Sequence, residues 1–101
     1  MIDESKTEDQ GIAVVLMERF ERWTLPLLLD MEERVNRGET LGRFDIDFLA
    51  EVLKDAQAIK PRVDRLSEYQ PLYTRVVALC EEITEKGLKN EQAGNGFGTP
   101  D

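Results

Sequence analysis

At 101 residues, with 41% hydrophobic and 34% charged side chains, the chain is long enough for one small folded domain and too apolar to be disordered throughout. Its net charge of −8 comes with no histidine and one cysteine, Cys80. That excludes the Ser-His and Cys-His nucleophile arrangements, histidine-ligated zinc and an internal disulfide.

Most of the acidic excess lies at the ends. Residues 1–11 carry Asp3, Glu4, Glu8 and Asp9 against Lys6, residues 91–101 carry Glu91 and Asp101, and the middle is left with 15 acids and 12 bases. Mixed signs of that kind belong to solvated helix faces. An acidic decoy of nucleic acid therefore stands only as an alternative, and direct nucleic-acid binding, which needs a basic stripe, is not expected. The opening MIDESKTEDQ has acids where a secretory or mitochondrial leader needs positive charge, and the longest apolar run, IAVVLM, is too short to span a membrane. A cytoplasmic protein of bacterial style is the expectation. It has a disordered acidic head over 1–11, a helical domain over 12–89 and a disordered tail over 90–101, where Gly94, Gly96, Gly98 and Pro100 oppose a helix.

The first helix shows in Ile12, Leu16, Phe20, Trp23, Leu27, Met31 and Val35, spaced by three and four. Pro26 falls inside this run. It lacks an amide hydrogen and crowds the carbonyl of Arg22, so the helix kinks there, or restarts with Thr24 as N-cap. Gly38 ends it. Asp45 is the expected N-cap of a second helix, with Phe44 stapled against Leu49. The second stripe is Phe48, Leu49, Val52, Leu53, Ala56, Ile59, Val63 and Leu66. It bends at Pro61 and reaches Tyr69. Pro71 suits the first turn of a third helix, whose stripe of Leu72, Val76, Leu79, Cys80 and Ile83 ends at Gly87. The expected fold is all-α, a three-helix bundle of proline-kinked long helices in an antiparallel hairpin with a third helix laid along it.

Counted at about 100° per residue, Val14, Leu25 and Leu29 point away from the main stripe of the first helix. A small three-helix bundle has no central helix to bury a second apolar side, so these three residues are predicted to face a partner. Asp30 and Arg34, four apart, are predicted to set the register of that contact. The function expected is a non-catalytic protein–protein interaction module, a small adaptor or regulator. It would be homodimeric through the first helix or docked on another protein, with no cofactor, metal site or catalytic residue.

The remaining catalytic possibility is carboxylate chemistry, from Glu18-x-x-Glu21 on the first helix and Glu81, Glu82 and Glu85 on the third. These pairs resemble the acidic motifs of helical nucleotide pyrophosphohydrolases of the MazG kind, and the resemblance implies a magnesium ion and a nucleotide substrate. It covers these few residues alone. The Glu-x-x-Asp partner motif is missing, and Glu18 and Glu21 fall opposite the core stripe. Cys80, on an apolar stripe, reads as a buried structural thiol. Trp23 and Tyr73 read as core or rim aromatics, with Arg19 over the Trp23 ring.

Overall fold

The computed structural model describes the backbone of residues 4–98 and the side chains of residues 11–94. Helix α1 (Glu4–Arg19) passes into a π turn (Phe20–Thr24) and then into α2 (Leu25–Asn36), with helical backbone angles at Arg19, Thr24 and Leu25. Pro26 explains the π turn. A proline ring collides with the carbonyl four residues back and brings no donor of its own. The wider turn ahead of it relieves that crowding, and the Leu25 amide reaches back five residues to the Phe20 carbonyl. Thr24 makes no capping hydrogen bond and has helical angles, so the helix does not restart there.

The π turn also sets which residues are buried. An α-helix advances about 100° per residue, and a π turn advances less. Every side chain after Thr24 is therefore rotated back from where uniform counting puts it. The buried line is Ala13, Met17, Phe20, Thr24, Leu28, Met31 and Val35. Ile12, Trp23 and Leu27, expected in the core, are exposed.

Gly38 ends α2 as expected. At φ +94° it adopts the left-handed conformation, its amide bonds to the Val35 carbonyl at 3.1 Å, and the Glu39 amide reaches the Arg34 carbonyl at 3.0 Å. This is the paired hydrogen-bond pattern of a Schellman stop. Helix α3 (Arg43–Val63) then starts from Gly42, which is the N-cap in place of Asp45. Asp45 lies in the first turn. Its carboxylate accepts the Gly42 amide at 3.1 Å and two hydrogen bonds from the Arg34 guanidinium, at 3.0 and 3.1 Å. Phe44 does not staple to Leu49 but stacks on Phe48, with ring centroids 6.4 Å apart.

Pro61 sits exposed in the last turn of α3, and the helix ends at Val63, short of Tyr69. Leu66 leaves helical geometry, a 3₁₀ turn (Ser67–Tyr69) follows, and α4 (Gln70–Gly98) begins. Two bonds tie this corner. Gln70 Nε2 donates to the Val63 carbonyl at 2.6 Å, and Tyr73 Oη donates to the Ala56 carbonyl at 2.8 Å.

Gly87 does not stop α4. It is buried within the helix, and a Cβ there would lie 2.6 Å from Leu41 Cγ and Cδ1. The missing side chain admits Leu41 of the α2–α3 connection. Just beyond, the Asn90 amide donates to the carbonyls of Val35 and Glu39, both at 2.8 Å, and Lys86 Nζ donates to Asn36 Oδ1 at 2.7 Å. These contacts hold α4 to the end of α2 at the point where glycine was expected to release it. Helix also runs over 4–11 and 90–98, within the ends expected to lack structure, while residues 1–3 and 99–101 lie outside the described residues.

Among the described residues the fold is all-α, three helical rods with no strand. The rod of α1, π turn and α2 packs through α1 on α3 and through α2 on α4, and α3 packs on α4. The molecule is long, 69 × 18 × 17 Å, with a radius of gyration of 16.9 Å against about 13 Å for a compact chain of this size.

Two measurements check the hairpin. Hydrogen bonding to Arg34, with the Gly42 amide adding to it, holds the Asp45 carboxyl below its ordinary 3.8 against the opposing cost of burial. A carboxyl depressed in the folded state contributes stability in full above its unfolded value, and loses it as pH falls through the folded value. Asp45→Asn is expected to cost about 1–3 kcal/mol near neutral pH. The gap to wild type should stay constant above about pH 5 and narrow below about pH 4 in urea titrations across that range. Gly87→Ala gains about 1 kcal/mol of helix propensity but overpacks Leu41 at about 1–3 kcal/mol. Net destabilisation is expected, and adding Leu41→Ala should cost less than the two single changes summed.

Candidate protein-docking face

Because α1 packs chiefly on α3 while α4 lies along α2, one flank of α1 and the π turn has no neighbour among the described residues. The sequence fills that flank with large apolar side chains. Ile12 is 55% exposed, Val15 61%, Trp23 65% and Leu27 47%. The π turn brings them into line. Trp23 and Leu27 follow Val15 along one edge only because the turn between them is wide.

Shallow depressions run along this line. One is formed by Gly11, Ile12, Val15, Leu16 and Arg19, the next by Val15, Glu18, Arg19, Arg22 and Trp23. Arg19 is thus at the middle of the strip with Glu18 and Arg22 beside it. Among the described residues neither Glu18 nor Arg22 closes an ion pair, although they are four apart. The same spacing does pair Asp30 with Arg34 at 3.1 Å, Lys60 with Asp64 at 3.0 Å and Glu82 with Lys86 at 3.2 Å. The Glu18–Arg22 step crosses into the π turn, where four residues no longer complete one turn.

The residues predicted to meet a partner lie elsewhere. Val14 is half-buried, and Leu25 and Leu29 are half-buried against the core. The rotation lost in the π turn brings both leucines round to the edge of the protein's own interior. Asp30 is exposed and bonds to Arg34 Nε at 3.1 Å. Arg34 spends its other two nitrogens on Asp45, so the register it sets is that of the α2–α3 hairpin. Both carboxylates raise its pKa, Asp45 most. Sequence reasoning found that the first helix is apolar on two sides; Val14, Leu25 and Leu29 are half-buried, and Ile12, Val15, Trp23 and Leu27 are the more exposed. The Thr24-Leu25-Pro26 step was the one signal that phase should be counted differently beyond it.

A second apolar area lies at the far end of the rod, where Leu41, Ile46, Leu49, Ala50, Leu53 and Thr84 line a groove between α3 and α4. Phe44, 75% exposed, stands near its mouth in sequence.

The carboxylates considered for metal chemistry do not converge. Glu18 and Glu21 are exposed on the first rod, Glu82 and Glu85 pair with Lys86 and Lys89, and no cluster of three metal-binding side chains forms among the described residues. No helix of the described residues is long and apolar enough to cross a membrane.

Cys80 is buried, and burial, with Glu81 adding to it, pushes its thiol up to about 11. A rise of that size lowers the thiolate fraction at pH 8 about a hundredfold. Aromatic disulfide reagents should accordingly label Cys80 at least about a hundredfold faster in urea than in buffer, and equal rates would contradict its burial. The chain matches no protein-family model, and neither a curated protein nor a solved structure is detectably similar to it.

Proposed function

We propose that this protein is a non-catalytic helical interaction module, a small adaptor or regulator acting in the cytoplasm, that docks a protein partner on the exposed strip of α1 and the π turn. One observation carries the reading: the large apolar side chains Ile12, Val15, Trp23 and Leu27 are all exposed on the first rod, on either side of Arg19 and amid charged residues. Contiguous exposed apolar surface is costly in water, and on small proteins it marks places where other surfaces bind. A tryptophan with an arginine beside it adds the residue types that dominate binding energy at protein interfaces. The lone buried thiol suits a reducing compartment. In this reading Val14, Leu25 and Leu29 support the strip from the core edge, and Arg34 keeps the hairpin beneath it in register.

Substitutions on the strip and at the core edge should separate binding from folding. Val15→Glu with Leu27→Glu alters exposed positions and should shift the thermal midpoint by no more than a few degrees, while abolishing association seen by light scattering or by capture of a native partner. Leu25→Glu with Leu29→Glu places charge against the core and should unfold the chain, read as loss of the helical circular-dichroism signal. Association that survives the Val15→Glu, Leu27→Glu pair would remove the basis for a docking strip.

A further inference from the structure

We infer that the partner on this strip is a second copy of the chain, paired antiparallel about a two-fold axis near Arg19 and Phe20. The inference rests on the docking reading above and commits it to one occupant. In an isologous contact each surface meets itself, so the strip must be complementary to its own reverse. It is. Reversing one copy sets Ile12 against Leu27 of the other, Val15 against Trp23, and Glu18 against Arg22. The midpoints of these three pairs fall between Arg19 and Phe20, at Arg19 and at Phe20, a spread of about 1.5 Å along the helix.

The charges provide the second argument. Glu18 and Arg22, four apart, share one edge of the strip and both border the Trp23 depression. In antiparallel helix pairs, flanking positions on one side meet their equivalents on the other helix, as in coiled coils where such charges choose orientation. Two symmetry-related Glu18–Arg22 contacts would then close across the axis. Among the described residues those charges close no ion pair, as Arg43 and Asp47 also do not, whereas Asp30–Arg34, Lys60–Asp64 and Glu82–Lys86 at the same spacing are closed. In a parallel pairing this edge of one copy lies on the opposite side of the seam from the same edge of the other, so Glu18 and Arg22 would not meet across it. Arg19 falls near the axis, where it faces the Arg19 of the other copy, so its stem lies on apolar surface and its charged head turns away to water.

Sedimentation equilibrium of the full chain, with single and paired charge reversals, tests this. Glu18→Arg alone and Arg22→Glu alone should each weaken the homodimer about tenfold or more, because each replaces both attractive contacts by repulsive ones. The double reversal should restore the wild-type constant. Mixed in equal amounts, the two single variants should form a heterodimer tighter than either homodimer, a result that no effect within one chain can imitate. Dimers that resist charge reversal but dissolve with Val15→Glu and Leu27→Glu overturn the antiparallel register and leave the docking strip standing. A wild type that stays monomeric at about 100 μM overturns the second copy as occupant. Capture of another protein that Val15→Glu and Leu27→Glu abolish would then preserve the strip alone. Dimers indifferent to both sets of changes overturn the strip and the inference together.

Discussion

The Leu25 amide bonds to a carbonyl five residues back because the next residue, Pro26, has no amide hydrogen and needs room behind it. That single wide turn delays the rotation of everything that follows. It brings Leu28, Met31 and Val35 into line with Ala13, Met17 and Phe20 beneath them, and turns Trp23 and Leu27 outward to continue the line of Ile12 and Val15. The buried stripe and the exposed stripe of one rod are two outcomes of the same hydrogen-bond shift. An α-helical turn in its place would rotate one half of the rod against the other and break both.

The far end of the rod is held by polar contacts of high directionality. Arg34 grips Asp45 with two parallel hydrogen bonds and Asp30 with a third, so one planar guanidinium joins the end of α2 to the start of α3. Its side chain is 27% exposed and that of Asp45 12%, partial burial that limits screening by water and salt. Asn90 then donates to two carbonyls around the turn, that of Glu39 and that of Val35 at the end of α2, which also accepts the Gly38 amide. Gly87 lets Leu41 fit between. The hairpin, its connection and α4 are thus fixed by contacts distant in sequence.

The packing scheme explains why apolar surface remains. Rods of unequal reach are laid side by side, α4 along α2 and α3 along α1, so each half of the long rod has one principal neighbour. A flank without a neighbour stays in water unless another molecule covers it, and here the uncovered flank is the one that carries Trp23. Among the described residues the acidic side chains, by contrast, are spread over separate rods, exposed or paired with lysines and arginines, and no three of them converge.

The residues by themselves determined the helical class, the number of rods, the glycine stop at Gly38, the proline in the first turn of α4 and the burial of Cys80, because each follows from spacing or from one residue's backbone chemistry. They also determined that the first rod is apolar on two sides. Which side is buried was decided by tertiary structure, since Ala13 and Met17 prevail over Ile12 and Leu16 only once α3 is there to approach them, and since a π turn changes phase without changing composition. The same holds for Asp45, Gly87 and Asn90. A cap, a stop and a tail by local rules, they became a clamp, a socket and a latch because Arg34, Leu41 and Val35, remote in sequence, lie beside them.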